Sequence, residues 1–366
     1  MADDSLLNKV HALSDLELAV LLSLISREHC LVSTPSDAID DLIQELQLVA
    51  RKTFGLSWVV IDCTPSTTLE DFAAALLINQ QPSSSDRSPT SLRNHPDSYF
   101  ATRPSSHSRT AISPLTPGGA FSSRIANVVL AKNLDQAPQA VQIQALELLR
   151  TRRIFTRTSV QTAPKQFVFI PVLEAASGGE ARVTAHLNDF LYIAYWHDPE
   201  EGFVNLDEAD VDNGADTASA GSVVKRGPGE EASSAPPLIL ETDISHLGTL
   251  SNQAQVDIEI TRYQMNIVSF LRMHRAVAGG ISPTATKHFG QLMSCLAALH
   301  RLDFVTPALV ALAARKIYLH RIQLALPEKE RSMQWGSKLE AVEALLEDVG
   351  PEDVVEDVLG MVTAPL

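Results

Sequence analysis

Apolar positions along the first eighty residues alternate between two periods. Ser14 and Glu17 stand as the two halves of a capping box ahead of an apolar run that reaches about Arg27, which predicts a helix. Cys30-Leu31-Val32 follows as a short apolar strand. From Asp37 to about Lys52, Ile39, Leu42, Ile43, Leu46 and Val49 recur at helical spacing. Ser57-Trp58-Val59-Val60-Ile61-Asp62 predicts a second buried strand, and Leu69 to Ile78 a further helix. Downstream, Ala126 to Leu130 reads as a strand, Pro138 to Arg150 as a helix and Gln166 to Ile170 as another strand. Near-continuous apolar strands separated by amphipathic helices leave no strand face for water. The pattern predicts an α/β fold with a parallel sheet covered on both faces.

After residue 245 the period is helical throughout: about Val256 to Val277, Pro283 to His300, and a helix opened by Thr306 as N-cap with Pro307 at its first position. Residues 337–348 and 351–361 predict short acidic helices with apolar faces that either pack on the rest of the chain or meet a partner. Residues 82–119, dense in Ser, Pro, Thr and Arg, and 207–237, dense in Asp, Gly, Ala, Ser and Glu, offer too little apolar surface to offset the entropy of ordering. They are expected to be disordered surface insertions. The expected organisation is an α/β core over residues 1–245, a helical domain over 250–327 and an acidic helical tail over 328–366.

Composition narrows the partners. A net charge of -15 disfavours nucleic-acid backbones and anionic membrane surfaces. No apolar run approaches the roughly 20 residues of a membrane span. With the acidic start Met1-Ala2-Asp3-Asp4, this predicts a cytoplasmic protein, with a nuclear one as the alternative. Cys30, Cys63 and Cys295 form no CxxC pair and read as small buried hydrophobes. The histidines show no HExxH, so no metal site is expected, and His274, His300 and His320 read as helix-face residues.

Ala126-Asn127-Val128-Val129-Leu130-Ala131, followed by Ala137-Pro138, Gln142 and Leu146-Glu147, resembles the Walker B strand and following helix of the MoxR/magnesium-chelatase AAA+ ATPases. Gly280-Ile281-Ser282-Pro283, Leu296-Ala297-Ala298-Leu299, Asp303-Phe304-Val305-Thr306-Pro307 and His320-Arg321 resemble the lid domain of that family. The resemblance covers most of residues 14–325. It implies a P-loop NTPase-like core with an α-helical lid, ATP and Mg²⁺ as ligands, a ring oligomer, and protein partners that are AAA+ relatives or carry a metal-dependent adhesion-type domain.

At each position where that resemblance demands chemistry, this sequence departs from it. A phosphate loop needs glycines, a lysine for phosphate and a hydroxyl for Mg²⁺. Here Ser33-Thr34-Pro35-Ser36-Asp37-Ala38-Ile39-Asp40 has no glycine, Ala38 where the second glycine belongs, Ile39 for the lysine and Asp40 for the hydroxyl. Asp37, Asp40 and Asp41 place carboxylates at the helix N-terminus that should face phosphate, as in an ordinary well-capped helix. The Walker B acids are Lys132 and Asn133, and Lys132 is a candidate ion-pair partner for Asp40. Pro171 to Glu174 stand where the sensor polar residue belongs. Asp189, in Leu187-Asn188-Asp189-Phe190, replaces the arginine finger, and Thr284 the lid arginine.

The expectation is a catalytically degenerate AAA+-like protein acting as an interaction or regulatory subunit, with no cofactor bound. The alternative is the ATPase motor of a magnesium chelatase-like complex whose site is completed elsewhere. Arg150, Arg152, Arg153 and Arg157 read as a solvated helix end, or as a grip on an acidic neighbour. Ser88-Pro89, Ser113-Pro114 and Thr116-Pro117 are candidate phosphorylation sites, though such pairs read more readily as what any disordered tract contains.

Overall fold

The computed structural model describes residues 2–79, 123–156, 159–207 and 236–365. The expected insertions, their Ser-Pro pairs and Arg157 fall almost entirely outside these residues. Five parallel strands form the main sheet: β1 (Cys30–Thr34), β2 (Trp58–Asp62), β3 (Val128–Lys132), β4 (Val168–Glu174) and β5 (Ile193–Trp196). Their order is β2-β3-β4-β1-β5. Successive strands β2, β3 and β4 approach β1 from one side and β5 joins it from the other, so the order reverses at β1. Loops leaving the carboxyl ends of strands at such a reversal part to opposite faces and open a crevice.

The period of two decides which face each side chain covers. Val32, Leu130, Ile170 and Val172 face α2 (Asp15–Ser26) and α3 (Ile39–Leu48), while Leu31, Val129, Phe169 and Leu173 face α4 (Leu69–Ala75), α5 (Gln139–Thr151) and α6 (Ala185–Phe190). The capping box of α2 forms as the sequence suggests: Ser14 N–H donates to Glu17 Oε2 at 2.9 Å and Glu17 N–H to Ser14 Oγ at 3.3 Å.

The helical domain comprises α7 (Glu241–Gln253), α8 (Ile258–Met273), α9 (Pro283–Leu299) and α10 (Pro307–Tyr318), and the tail adds α11 (Leu339–Leu346) and α12 (Pro351–Met361). Helix α1 (Ala2–His11) precedes the core. Thr306 occupies the N-cap of α10 without a side-chain bond. Phe289 of α9 and Tyr318 of α10 meet edge to face at 5.5 Å. The first hydrophobic cluster runs unbroken from Leu24 and Val32 through Phe289 and Tyr318 to Val354 and Val358. Core, helical domain and tail therefore share one apolar interior.

Several boundaries differ from the sequence reading, each for a physical reason. Strand β4 continues through Pro171 to Glu174. A proline lacks the ladder N–H and normally argues against a central strand. Strand β2 is the sheet's outer edge, with Trp58 and Asp62 exposed, rather than a buried strand. Leu77–Asn79 leaves the expected helix to pair antiparallel with Ser123–Ile125. Val277–Gly279 likewise ends the long lid helix and pairs with Gln323–Leu324. His320 lies fully buried in the turn beyond α10, not on a helix face. Cys30, Cys63 and Cys295 are buried free thiols.

Candidate functional site

The carboxyl ends of β1, β3 and β4 meet at the reversal point. At β1 the sheet absorbs the first two residues of the expected loop. Ser33 and Thr34 pair with Leu173 and Glu174, and Ser33 also with Trp196. Thr34 Oγ1 donates to His197 O at 3.1 Å, while Thr34 O accepts from Ala175 N–H at 3.0 Å. Both side chains are buried. Only Pro35, Ser36, Asp37 and Ala38 then connect β1 to α3, and the turn closes with Ala38 N–H donating to Pro35 O at 3.1 Å. None of the four has the positive φ of a left-handed turn.

Helix α3 begins at Ile39, two residues later than expected, and its N-cap Ala38 makes no side-chain cap bond. The expectation of a well-capped helix fails here. Asp40 and Asp41 in the first turn still place negative charge at the positive end of the helix. Ile39, at the position a phosphate-binding lysine would hold, is buried in the core.

Lys132, at the end of β3, forms the ion pair with Asp40 anticipated from the sequence. Its hydrogen bond to Asp40 raises the lysine above its ordinary pKa; burial opposes the rise, and the carboxylates of Asp40, Asp62 and Glu174 add to it. Asp62 is in register with Lys132 on the neighbouring β2. Asn133 adopts a left-handed conformation, φ 51, which asparagine tolerates better than most residues. Its Nδ2 donates to Glu174 Oε1 at 3.0 Å, and its N–H to Val172 O at 2.9 Å. Burial, with Glu174 nearby, holds the Asp135 carboxyl above the usual range. The crest thus joins α3 to β3 through Asp40–Lys132 and β3 to β4 through Asn133–Glu174. Lys132 faces Asp40, Asp62 and Glu174 together.

Asp189 and Thr284 do not join this crest. Asp189, near the end of α6, accepts from Ser282 Oγ and lies 3.7 Å from Arg321 Nε. Ser282 is also the N-cap of α9, accepting from Ala285 N–H at 2.9 Å. Asn188 Nδ2 donates to His320 O at 2.7 Å. The segment expected at a subunit boundary therefore ties the core to the helical domain of its own chain. Thr284 is half-buried in the first turn of α9; among the described residues it forms no hydrogen bond with Asp40, Lys132, Asn133 or Glu174.

Sequence reasoning missed what Asp189 leads to. Arg321 is 2% exposed. It donates to Ile317 O at 2.9 Å, Asp189 O at 3.1 Å, Tyr192 O at 3.3 Å and Leu191 O, and to His288 Nδ1 at 2.8 Å. Burial lowers its pKa to about 10 against the pull of Asp189, so it stays charged at neutral pH. His288 must be neutral to accept at Nδ1, which leaves its proton on Nε2, 3.9 Å from Glu28 Oε2. Burial, then the guanidinium, pushes His288 down to about 3. The one signal in the sequence was the His320-Arg321 pair, whose resemblance to a lid motif says nothing of burial. Arg152, of the expected basic cluster, donates to Arg27 O at 2.7 Å and is lowered by burial rather than freely solvated.

Residues 269–344 match the AAA lid domain, from the last five residues of α8 through most of α11. The crystal structure of a candidate ATPase from Cytophaga hutchinsonii has the same overall fold. It covers 100% of this chain and 98% of its own, with a TM-score of 0.63 at 13% identity. A full-length MCM homolog from Methanopyrus kandleri aligns with a TM-score of 0.43 and 11% identity, over 87% of this chain and 58% of that one. No curated protein sequence matches this chain. The fold is that of an AAA+ ATPase, a P-loop NTPase-like α/β core followed by a helical lid. No helix among the described residues is long and apolar enough to cross a membrane.

Proposed function

We propose that this chain is an AAA+-like protein that does not hydrolyse ATP and acts as an interaction or regulatory subunit. The observation that carries the reading is the Lys132–Asp40 ion pair beside a four-residue loop without glycine. Phosphoryl transfer relies on backbone N–H groups and cations that gather triphosphate and on acids that hold Mg²⁺. Here Ser33 and Thr34 are engaged in the sheet, Ile39 is in the core, and Lys132 already has a carboxylate partner. A triphosphate entering this crest would meet Asp40, Asp62 and Glu174, and Lys132 beside them is already paired with Asp40.

The subunit acts through protein partners, either AAA+ relatives in a ring or a protein with a metal-dependent adhesion-type domain. The test is titration of the purified chain with Mg-ATP while heat of binding, melting temperature and phosphate release are followed. No binding, no melting shift and no release above the blank are expected. Micromolar binding with Mg²⁺-dependent release would overturn the reading in favour of an ATPase motor of the chelatase type.

A further inference from the structure

Helix α11 is held to the molecule by little: of its residues only Val342 is buried. A groove opens on each side of it. One, of about 520 Å³, lies between α11, the end of α8 and α12, with Phe270, Met273, Leu345 and Met361 among its lining. The other, of about 570 Å³, reaches Leu324 and Pro327, and the two share Ala276, Leu346 and Val349. Met273 is 60% exposed, Met361 53% and Leu345 46%. A contiguous apolar lining left open to water is the mark of a docking surface rather than of scattered surface hydrophobes.

Carboxylates outnumber cations around these grooves. Asp353 and Asp357 border the first, and Glu340, Glu343 and Glu347 the second. From residue 328 to the end the sequence sets ten carboxylates against Lys329, Arg331 and Lys338. The nearby cations are already engaged, His274 with Asp357 and Arg275 with Glu330. Among the described residues, Glu340, Glu343 and Glu347 have no ion-pair partner. An apolar floor with an acidic rim selects a partner of the opposite pattern.

We infer that the paired grooves astride α11 are the docking site for a partner protein's cationic amphipathic helix, its apolar side chains entering the grooves and its Lys and Arg meeting Glu340, Glu343 and Glu347. Helix-in-groove recognition has this division of labour, with apolar anchors supplying affinity and charge complementarity supplying orientation and choice of partner. The inference rests on the reading that this chain works by binding proteins, and it names the face and the chemistry. Val342 is the one buried residue of α11 and Leu346 packs against the core beside it, so the rest of the helix is left to face the guest.

The probe is a synthetic peptide of about 18 residues with leucines at helical spacing and lysines elsewhere, titrated against the full-length chain by fluorescence anisotropy. A counterpart with glutamates for lysines serves as control. The lysine peptide is expected to bind and the glutamate peptide not. Met273→Asp and Leu345→Asp, both at exposed positions, are expected to weaken binding by about tenfold or more with an unchanged melting temperature. These variants add negative charge, so attraction to a merely acidic surface would instead hold or grow, and that result overturns the proposal. Glu343→Lys with Glu347→Lys is expected to weaken binding as well; no change would also overturn it. Binding that appears only after residues 82–119 are deleted would assign the grooves to this chain's own segment. A dimer dissolved by Leu345→Asp would assign them to a second copy. Either overturns the partner helix. ATP hydrolysis together with peptide binding would refute the functional reading and leave the grooves standing, whereas no hydrolysis and no peptide binding would refute the grooves alone.

Discussion

Arg321 carries its charge into a site where burial alone would cost several kcal/mol, and only its geometry offsets that cost. A planar guanidinium can donate to the carbonyls of Leu191, Tyr192, Ile317 and Asp189 while touching His288 and the Asp189 carboxylate. A lysine has one ammonium and cannot span these acceptors. Arg321→Met is expected to lower stability by about 3–5 kcal/mol, since it leaves buried carbonyls unserved and Asp189 uncompensated. Arg321→Lys should recover only part of that loss, and urea unfolding of both variants measures it. The histidines around this site make a second prediction. His29 accepts Phe169 N–H at Nδ1 and is held down to about 3 by burial, as is His288; His320 is depressed well below its ordinary value. A depressed folded pKa means that the unfolded chain binds more protons below about pH 6.5. The stability these groups contribute is complete above that pH and is lost as pH falls toward their folded values, each with a limiting slope of about 1.4 kcal/mol per pH unit. Glu28 opposes them, because burial raises its pKa and its folded-state protonation gains stability as pH falls toward the carboxylate range. The urea midpoint is therefore expected to fall between pH 7 and pH 5; a flat profile would show that these rings are not held neutral.

At the scale of elements, the joint between lid strand and lid turn depends on one absent side chain. Gly280 has φ +99, and a Cβ there would lie 1.8 Å from Arg321 O. Gly280→Ala must displace the backbone that aims the guanidinium as well as adopt a left-handed conformation. The expected loss therefore exceeds the roughly 1 kcal/mol of the conformational effect alone, and thermal unfolding should show a larger drop than for Gly360→Ala, where a Cβ meets nothing within 4 Å. Gly280 was visible in the sequence only as part of a run resembling a lid motif. Much else was legible for local reasons. The Ser14–Glu17 box and the apolar runs of β3 and β4 are set by residues close in sequence. Where local rules and tertiary demand disagreed, tertiary demand prevailed. Pro171 lies inside a central strand, and Ser33 and Thr34, polar and expected in a loop, are drawn into the sheet because backbone partners await them on β4 and β5. The Lys132–Asp40 pair was legible because both occupy known stations at strand end and helix start. The Arg321–His288–Asp189 cluster was not, since no spacing rule joins residues from α6, α9 and the turn beyond α10.

At the scale of the whole molecule the question is whether the lid moves against the core, as a nucleotide-driven machine would require. The tail argues that it does not. Helix α12 buries Val354, Val355 and Val358 in the hydrophobic cluster that also contains Val32 of the sheet and Phe289 of the lid. It is pinned to α10 by the Arg315–Glu356 pair, with Nη2 to Oε2 at 3.0 Å, and to the end of α8 by His274–Asp357 at 3.0 Å. Its first turn reaches the core as well. A Cβ on Gly178, in the loop after β4, would lie 2.9 Å from Glu352, and one on Gly179 would lie 3.4 Å from Pro351. The same helix thus braces lid and core, while Arg321 locks them from the other side. Deleting residues 349–366 removes those valines, each worth on the order of 1.5–3 kcal/mol when fully buried, and the exposed ion pairs add less than about 1 kcal/mol apiece. The expected result is one cooperative unfolding transition in the full chain, and still one, at markedly lower temperature, in the truncated chain. Calorimetry decides it: two resolved transitions in the intact protein would make the lid a separate unit.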